Sequence, residues 1–318
     1  MDLHNRTDKL FTNTSITRYQ DCPKKYKLYH IDKFDPYAEP LNHQESEGLN
    51  FGTLLHKCME IRELGQDWMQ TLRDGSANFI FQEESYITAR IRALIEARTI
   101  LEDQMDLKRY PSAVIKNEVL IEKEMTMTSN TGEKYAGKID RVVQNGSGMF
   151  TFDYKSRSRT PDYETFFEDQ QQLLYCAILW HNGIEVNGYI IDVWRIPKSK
   201  PKKDRKGNGE TYEEFGNRLR DEIVDISIRQ LSGILEETDK PYFFTYEYPV
   251  TRNDLVTGYK NTEMWMHRLK RERHYPMNKK SCISHFGKCE WYDLCHGKVD
   301  IKDMKQRENE HPELKEIL

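Results

Sequence analysis

The stretch from Gly137 to Lys155 constrains the fold more than any other part of the sequence. Two short apolar segments flank the turn at 145–148, whose Asn-Gly pair supplies the positive φ angles that a tight β-hairpin needs. Each predicted strand carries one acid where an apolar residue would otherwise fit, Asp140 on the first and Asp153 on the second. Lys155 lies two residues after Asp153, so strand alternation places both side chains on one face. Two carboxylates and an ammonium at one end of a hairpin predict a divalent-metal site.

Such a site suits phosphodiester hydrolysis, which requires a nucleophilic water near neutral pH and a neutralised phosphate. A divalent cation lowers the pKa of a bound water, from about 15.7 toward about 7 in the best zinc sites. Magnesium prefers oxygen ligands and keeps several waters, which suits one or two carboxylates and a phosphate. Lys155 would orient the water or stabilise charge on the phosphate. The alternative is exposed ion pairs at strand ends, with Lys138 or Arg141 as the partner of Asp140 and Lys155 as the partner of Asp153.

Composition restricts the classes of protein that fit this chain. With 318 residues, 31% of them charged, and a net charge of −4, it can bury a core and is not uniformly basic. No apolar run approaches the roughly 20 residues that span a bilayer, and the N-terminal residues lack the apolar core of a secretory signal. We expect a soluble, cytoplasmic protein. A phage-encoded protein that acts in the cytoplasm of its host also fits this expectation.

The periodicity predicts an α/β core with helical additions. The part before residue 110 is predicted to be mainly helical, with a polar, turn-rich stretch at 32–48 and one helix over 80–107. Predicted strands follow at 114–127, 134–143, 149–155 and 188–196, with a helix over 164–181. The later helices are predicted over 212–237 and 253–273, the basic segment 198–208 as a loop, and the charged tail 299–318 as helical.

Two helical patterns carry further candidate residues. His56 follows Gly52 by four residues in Gly-Thr-Leu-Leu-His, where the glycine permits close approach of another backbone and the imidazole would complete a metal site. A single helix histidine is more often a packing or surface residue. Gln171 and Tyr175 lie four residues apart on one helix face, which alone indicates no function.

The segments GTLLH, GKID and FDYKS, followed by Gln171 and Tyr175, resemble in that order the motifs of RecB-type PD-(D/E)XK nucleases. Those nucleases share a GxxxH helix, a GxxD strand, a (D/E)xK strand and a QxxxY helix. The resemblance covers roughly residues 15–296. It implies a restriction-endonuclease-like core, in which helices flank a mixed central sheet.

The resemblance also implies roles for individual residues. It implies that Mg²⁺ or Mn²⁺ binds to His56, Asp140, Asp153 and the carbonyl of Tyr154. Lys155 would be the catalytic lysine, and Gln171 and Tyr175 would contact DNA or brace the site. The family also has an acid on the strand before the hairpin, and both Glu122 and Glu124 fit that position.

Cysteine usage predicts a second inorganic site. Of the six cysteines, four remain after the buried helical positions are set aside. These four are Cys22, Cys282, Cys289 and Cys295. In a reducing cytosol, clustered cysteines are more often metal ligands than disulfides, and four thiolates hold either zinc or an iron–sulfur cluster.

One cysteine before the core and three after it resemble the iron–sulfur subset of the superfamily. This subset includes the AddB nuclease domain, the CRISPR-associated adaptation nucleases and many phage-encoded exonucleases. The resemblance implies that the four cysteines bind a [4Fe–4S] cluster, which fastens the C-terminal part to the N-terminal helix. Zn²⁺ is the alternative. A link that closes so long a loop would stabilise the fold by about 4–5 kcal/mol.

Basic and aromatic residues suggest a DNA surface. The segment 266–280 has six Arg or Lys residues against one acid, and Arg157 and Arg159 follow Lys155 directly. Together with the 198–206 loop, these would track a phosphate backbone. Four aromatic residues are candidates for stacking on unpaired bases. They are Tyr163, Phe166, Phe167 and Trp291. Solvated helix faces and buried aromatic residues are the alternative.

These observations predict one nuclease domain over 1–318: an N-terminal helical part (1–110), a catalytic core (111–197), a basic loop with helices (198–274), a cysteine segment (275–298) and a charged tail (299–318). The predicted activity is exonucleolytic hydrolysis of single-stranded or end-frayed DNA, in recombination, repair or phage DNA processing. No GxxxxGK[ST] segment occurs, so any helicase partner would be a separate polypeptide. The alternatives are a CRISPR spacer-acquisition nuclease and a non-catalytic DNA-binding scaffold with a structural metal.

Overall fold

The computed structural model describes residues 10–36, 47–78, 86–104, 110–167, 169–203, 209–284, 287–311 and 314. The α-helices in these ranges are α1 (Asn13–Asp21), α2 (Pro23–Tyr26), α3 (Glu47–Glu63), α4 (Trp68–Asn78), α5 (Tyr86–Gln104), α6 (Gln170–His181), α7 (Tyr212–Leu231), α8 (Arg252–Arg271) and α9 (Tyr292–Cys295). A π-helical turn spans Lys27–Ile31, and 3-10 turns span Tyr163–Phe166, Lys279–Ser281 and Ile301–Asp303.

The strands of the described residues form one six-stranded sheet and two short ladders. They are β1 (Leu10–Phe11), β2 (Val114–Ile115), β3 (Glu118–Val119), β4 (Ile121–Thr128), β5 (Lys134–Asn145), β6 (Gly148–Arg157), β7 (Gly188–Arg195), β8 (Phe243–Pro249), β9 (Ile283–Ser284) and β10 (Gly287–Lys288). In the large sheet, β5 pairs antiparallel with β4 and β6, β6 pairs parallel with β7, and β7 pairs antiparallel with β8. The two-residue strand β1 adds to β5 in parallel.

Two hydrophobic clusters cover opposite faces of this mixed sheet. One joins residues of α1, α6 and α8 to the sheet, and the other joins residues of α3, α4, α5 and α7. Adjacent residues of β7 belong to different clusters, Val193 to the first and Trp194 to the second. Since successive strand side chains point to opposite faces, helices lie on both sides of the sheet. The prediction of a mixed sheet flanked by helices is therefore confirmed.

The predicted hairpin is present, because β5 and β6 pair from Arg141 with Phe152 to Asn145 with Gly148. The prediction of one strand over 114–127 was wrong. Lys116 and Asn117 have φ angles of 51° and 68°, and this turn folds β2 back on β3, so the two form a separate short ladder before β4 begins at Ile121.

Several predicted helices are shorter in the structure. The helix predicted over 164–181 begins at Gln170, because Asp169 caps it with a side-chain bond to the Gln172 N–H. The helix predicted over 212–237 ends at Leu231. The described residues of the tail contain one 3-10 turn and no α-helix, so that prediction was wrong. Residues 204–208 of the basic loop, 80–85 and 105–107 of a predicted helix, and 312–313 and 315–318 of the tail lie outside the described residues. Among the described helices, none combines the length and apolar character that crossing a bilayer demands.

Candidate metal centre

Strand register brings the acids of the hairpin together. Arg141 on β5 pairs with Phe152 on β6, so Asp140 and Asp153 lie across from each other one residue further along. The Asp153 side chain is only 4% exposed, and the Lys155 Nζ atom lies 2.5 Å from its Oδ2 atom. The predicted convergence of two carboxylates and an ammonium is therefore present in the fold.

His56 reaches this pair from α3. Its Nε2 atom lies 3.0 Å from Oδ2 of Asp140. The helix can come this close to β6 because residue 52 is glycine: a Cβ atom there would lie 2.8 Å from Oγ of Ser156. The glycine four residues before the histidine thus sets the distance between α3 and the strand that carries Asp153.

Glu122, and not Glu124, is the acid of β4 that joins the group. Ile121 pairs with Arg141 and Lys123 with Ile139, so Glu122 lies across from Asp140. Its Oε1 atom is 3.4 Å from Nδ1 of His56, and its carboxylate also pairs with Lys138. Glu122 has a φ angle of 51°, which is rare for a residue with a side chain and marks local backbone strain.

The charges of this group depend strongly on one another. Burial and the nearby Asp140 carboxylate raise the pKa of Asp153. Burial alone would raise the pKa of Asp140. Its hydrogen bonds with Asp153 and His56, together with the charges of His56 and Lys155, instead hold the pKa of Asp140 below its usual range. Burial would lower the pKa of His56, yet Asp140 and Glu122 raise it to about 10. His56 and Asp153 therefore favour their protonated forms, and these protons lie where a bound cation would also be stabilised.

The donor atoms of this group fit a divalent cation. One ligand atom each from His56, Asp140 and Asp153 lies within 4.8 Å of the other two. Within the described part of the chain, this is the one set of three or more His, Cys, Asp or Glu donors that meets this distance. Two carboxylates and an imidazole suit Mg²⁺ or Mn²⁺ better than a thiolate site would, since oxygen ligands favour these hard ions.

Tyr175 and Gln171 lie against the strand that carries Asp140. The Gln171 Nε2 atom donates to the Tyr175 hydroxyl at 2.8 Å, and Asn13 of α1 donates to Gln171 Oε1 at 3.5 Å. Tyr175 is 7% exposed, and a Cβ atom at Gly137 would lie 2.7 Å from its ring. The glycine of the Gly-Lys-Ile-Asp segment therefore provides the space for the tyrosine of α6.

A buried arginine, Arg141, anchors the other side of the site, although the sequence analysis considered it only as an ion-pair partner of Asp140. Arg141 donates to the Tyr154 hydroxyl at 2.9 Å and to Ser112 Oγ at 2.8 Å, and also bonds the Tyr110 carbonyl. Its Nη2 atom lies 2.8 Å from a carboxylate oxygen of Glu63 on α3. Arg141 thus ties β5, β6 and α3 together next to Asp140.

The ion pairs continue from Glu63 into the core. Arg62 lies 3.4 Å from Glu63 and 2.6 Å from Glu102 of α5. Arg98 lies 2.8 Å from Glu102 and 3.5 Å from Asp192, which is fully buried on β7. Such a network shows in a sequence only as scattered charges, because long-range packing brings its members together.

The centre opens into a cleft of about 520 Å³. Its wall includes His56, Glu122, Tyr154 and Lys155, so the histidine of the candidate metal-binding group faces the cleft, whereas Asp140 and Asp153 lie behind this wall. Three further cations line it: Lys57, Lys138 and Arg157. Arg157, a predicted substrate-binding residue, is therefore positioned beside Lys155.

The cysteine segment packs against the junction of α1 and α2. Asn278 and Ser281 both donate to the Asp21 carbonyl, at 2.8 Å and 2.9 Å. The backbone N–H of Asn278 donates to Cys22 Sγ at 3.3 Å, and the N–H of Cys289 donates to the Cys282 carbonyl at 2.9 Å. The N-terminal cysteine and the C-terminal segment are thus neighbours, although no three of the four sulfur atoms meet the 4.8 Å distance in the described residues.

Two of the four aromatic residues considered for base stacking are unavailable. Phe166 is 3% exposed and Trp291 is 1% exposed, so their rings serve the core and the prediction for them was wrong. Tyr163 and Phe167 are 40% and 60% exposed.

Comparison with known proteins supplies the family. No curated protein matches the chain. The family model described as the PD-(D/E)XK nuclease superfamily matches residues 11–296, which include every residue of the centre described above. This family consists of metal-dependent nucleases, in agreement with the acidic and histidine donors at the cleft. The chain therefore belongs to the PD-(D/E)XK nuclease superfamily.

Proposed function

We propose that this protein is a Mg²⁺- or Mn²⁺-dependent deoxyribonuclease that hydrolyses single-stranded or end-frayed DNA as an exonuclease. The observation that carries the proposal is the approach of ligand atoms of His56, Asp140 and Asp153 to within 4.8 Å of one another, next to an open cleft that His56 and Lys155 line. A structural metal site has no need of a cleft or of a partly buried lysine against one of its ligands.

Each residue has a role in this proposal. His56, Asp140 and Asp153 hold the cation, with the Tyr154 carbonyl as a fourth ligand. The bound cation would supply an activated water and neutralise charge on the phosphate. Lys155, whose pKa Asp153 raises against the opposing effect of burial, remains an ammonium that positions the water and stabilises the developing charge.

The surrounding residues hold this group in place. Glu122 keeps the His56 imidazole oriented through its 3.4 Å contact with Nδ1, in the way a carboxylate orients a metal-binding histidine. Tyr175 is buried, so we assign it a bracing role beneath β5, with Gln171 positioned by its hydroxyl. Arg157, Lys57 and Lys138 contact the phosphates on either side of the scissile bond.

We further propose that Cys22, Cys282, Cys289 and Cys295 bind a [4Fe–4S] cluster. Four thiolates around one zinc ion at about 2.3 Å would lie about 3.8 Å from one another. In a cluster each cysteine binds a different iron, so the sulfur atoms are farther apart. The packing of the cysteine segment on the junction of α1 and α2 brings Cys22 next to the segment that carries the other three cysteines, which supports one site shared by the four.

Purified protein incubated with Mn²⁺ or Mg²⁺ and end-labelled single-stranded DNA tests the proposed activity. We expect release of mononucleotides that chelator abolishes. Asp153→Ala should reduce the rate by at least about 100-fold, since it removes a ligand and the partner of Lys155. The matched control, Asp225→Ala, removes an exposed acid of α7 and should cleave normally. DNA that stays intact, or equal rates for Asp153→Ala and the wild type, would leave only a DNA-binding role.

A further inference from the structure

An exposed pair of aromatic rings lies on the segment that follows Arg157. The exposed aromatic side chains of the described residues are Tyr86, Tyr163 and Phe167, and the last two are neighbours with ring centroids 6.4 Å apart. An exposed aromatic ring does not contribute the favourable free energy that burial of its apolar surface would provide. Two of them side by side therefore suggest a surface that a ligand covers.

Buried tyrosines of β7 and β8 hold this segment rigidly. The Tyr248 hydroxyl donates to the Tyr163 carbonyl at 2.5 Å, and the Tyr189 hydroxyl donates to the Phe166 carbonyl at 2.8 Å. The Tyr246 hydroxyl donates to the Pro161 carbonyl at 2.8 Å. Because the backbone is fixed at three points, the exposed rings are presented in one place and little conformational entropy is lost when they are covered.

The ring of Tyr163 forms the outer layer of a stack that is anchored in the core. It lies 4.5 Å from the ring of Tyr248, which in turn lies 4.8 Å from the ring of Tyr189. Both inner rings are 1% exposed. A nucleobase on Tyr163 would extend a stack that already exists.

This surface is continuous with the cleft. Arg157 lines the cleft, and its guanidinium carbon lies 5.7 Å from the ring centre of Phe166, the residue next to Phe167. The segment that carries Tyr163 and Phe167 therefore packs against a residue of the cleft wall. Asp162 and Glu164 are exposed in the same segment, so stacking and not charge must provide the attraction there.

We propose that Tyr163 and Phe167 form a stacking platform for unpaired nucleotides that flank the scissile phosphate. This inference rests on the proposed nuclease function and specifies its substrate as a single strand. In a duplex the bases are paired and stacked on one another, so their faces are not available to the platform. Aromatic stacking tolerates any base, which suits a nuclease without sequence preference.

Binding measurements test the platform in the Lys155→Ala background, where DNA stays intact. The probes are a fluorescein-labelled 20-nucleotide oligo-dT and a blunt duplex of the same length. We expect the Tyr163→Ala/Phe167→Ala variant to bind the single strand about fivefold to 100-fold more weakly. Phe167→Trp keeps a ring and should bind normally, as should Ile234→Ala, which truncates an exposed residue (64%) three residues beyond the end of α7.

Two further readouts distinguish base stacking from backbone binding and from self-association of the protein. A 2-aminopurine base in the oligonucleotide should be quenched by the wild-type surface and not by the double variant. Unchanged affinity of the double variant, or equal loss for the blunt duplex, would overturn the platform. So would sedimentation that shows a wild-type dimer and a monomeric variant, because a second copy would then cover the rings. If the wild type fails to cleave DNA but the single-strand losses appear, the platform stands and the hydrolytic proposal fails.

Discussion

At the scale of single residues, glycine and buried charge decide how the centre is built. Gly137 leaves room for Tyr175, and Asp153 is nearly inaccessible to solvent beside a lysine. Each of these features lowers the free energy of unfolding of the protein. A buried carboxylate is stable only with a partner, and a strand glycine costs conformational entropy.

Replacement of Gly137 by alanine should destabilise the protein and slow DNA cleavage. The new Cβ atom would lie 2.7 Å from the Tyr175 ring, and such overpacking costs about 1–3 kcal/mol. Urea unfolding and cleavage rates measure the two effects. Gly209→Ala is the control, because no atom lies within 4 Å of its added carbon. Identical behaviour of the two variants would refute the close packing of α6 on β5.

Glu133 should make a pH-dependent contribution to stability. Burial would raise its pKa, but hydrogen bonds from Thr131 and Ser129 and the Lys270 ammonium lower it from 4.5 to about 2. A depressed pKa in the folded state stabilises the protein above about pH 4.5, and this contribution is lost as the pH falls through 2.

The test compares Glu133→Gln with the wild type between pH 3 and pH 7. The loss in unfolding free energy should be about 2 kcal/mol near neutral pH and should shrink toward pH 3. Glu237→Gln, at an exposed site, should show no such trend. A pH-independent difference would mean that the carboxylate charge of Glu133 does not stabilise the fold.

At the scale of elements, the position of α3 relative to β6 determines whether His56 reaches the two aspartates. The helix contributes His56 to the metal-binding group and Glu63 to the anchor of Arg141. It approaches β6 where Gly52 faces Ser156. A small displacement of this helix would therefore change the distance from His56 to the two aspartates without replacing any of the candidate ligands.

Gly52→Ala should weaken Mn²⁺ binding about tenfold to 100-fold, as loss of support around a metal ligand commonly does. Its Cβ atom would lie 2.8 Å from Ser156 Oγ and push α3 outward. Isothermal titration with Mn²⁺ measures the change. The double variant Gly52→Ala/Ser156→Ala removes the colliding oxygen and should restore affinity. If the added Ser156→Ala substitution does not restore Mn²⁺ affinity, the loss of affinity does not arise from this contact.

At the scale of the whole molecule, two long-range connections hold the domain together. The ion-pair network from Arg141 to Asp192 joins α3, α5, β5 and β7 behind the centre. The cysteine segment joins the end of the matched region to its beginning, through contacts of Asn278 and Ser281 with Asp21. The second connection closes almost the entire chain into a loop.

The proposed cluster predicts that Cys289→Ala releases iron and lowers the unfolding free energy by about 2–5 kcal/mol, comparable to the loss of a long-range covalent link. Elemental analysis and absorbance near about 400 nm, where iron–thiolate charge transfer occurs, measure the first effect. Cys58→Ala, at a buried position outside the segment, should keep the iron. A colourless wild-type protein that contains stoichiometric zinc would contradict the cluster and indicate a zinc site.

The elements of the catalytic part were largely predictable because their signals are local. Strand alternation and the Asn-Gly turn place Asp140, Asp153 and Lys155 on one hairpin, and the periods of the flanking segments predict helices around a sheet. Helix ends were predicted less well, as at Leu231, since caps and packing partners decide where a helix stops.

The sequence by itself determined which chemical groups the centre contains and on which elements they lie, because the period of a strand or helix is written in neighbouring residues. Tertiary structure decided the rest: that Glu122 and not Glu124 faces His56, that Arg141 anchors Tyr154, and that Phe167 is exposed. These outcomes depend on register and burial. Both arise from pairing and packing between segments far apart in the chain, where a shift of one residue reverses the face that each side chain occupies.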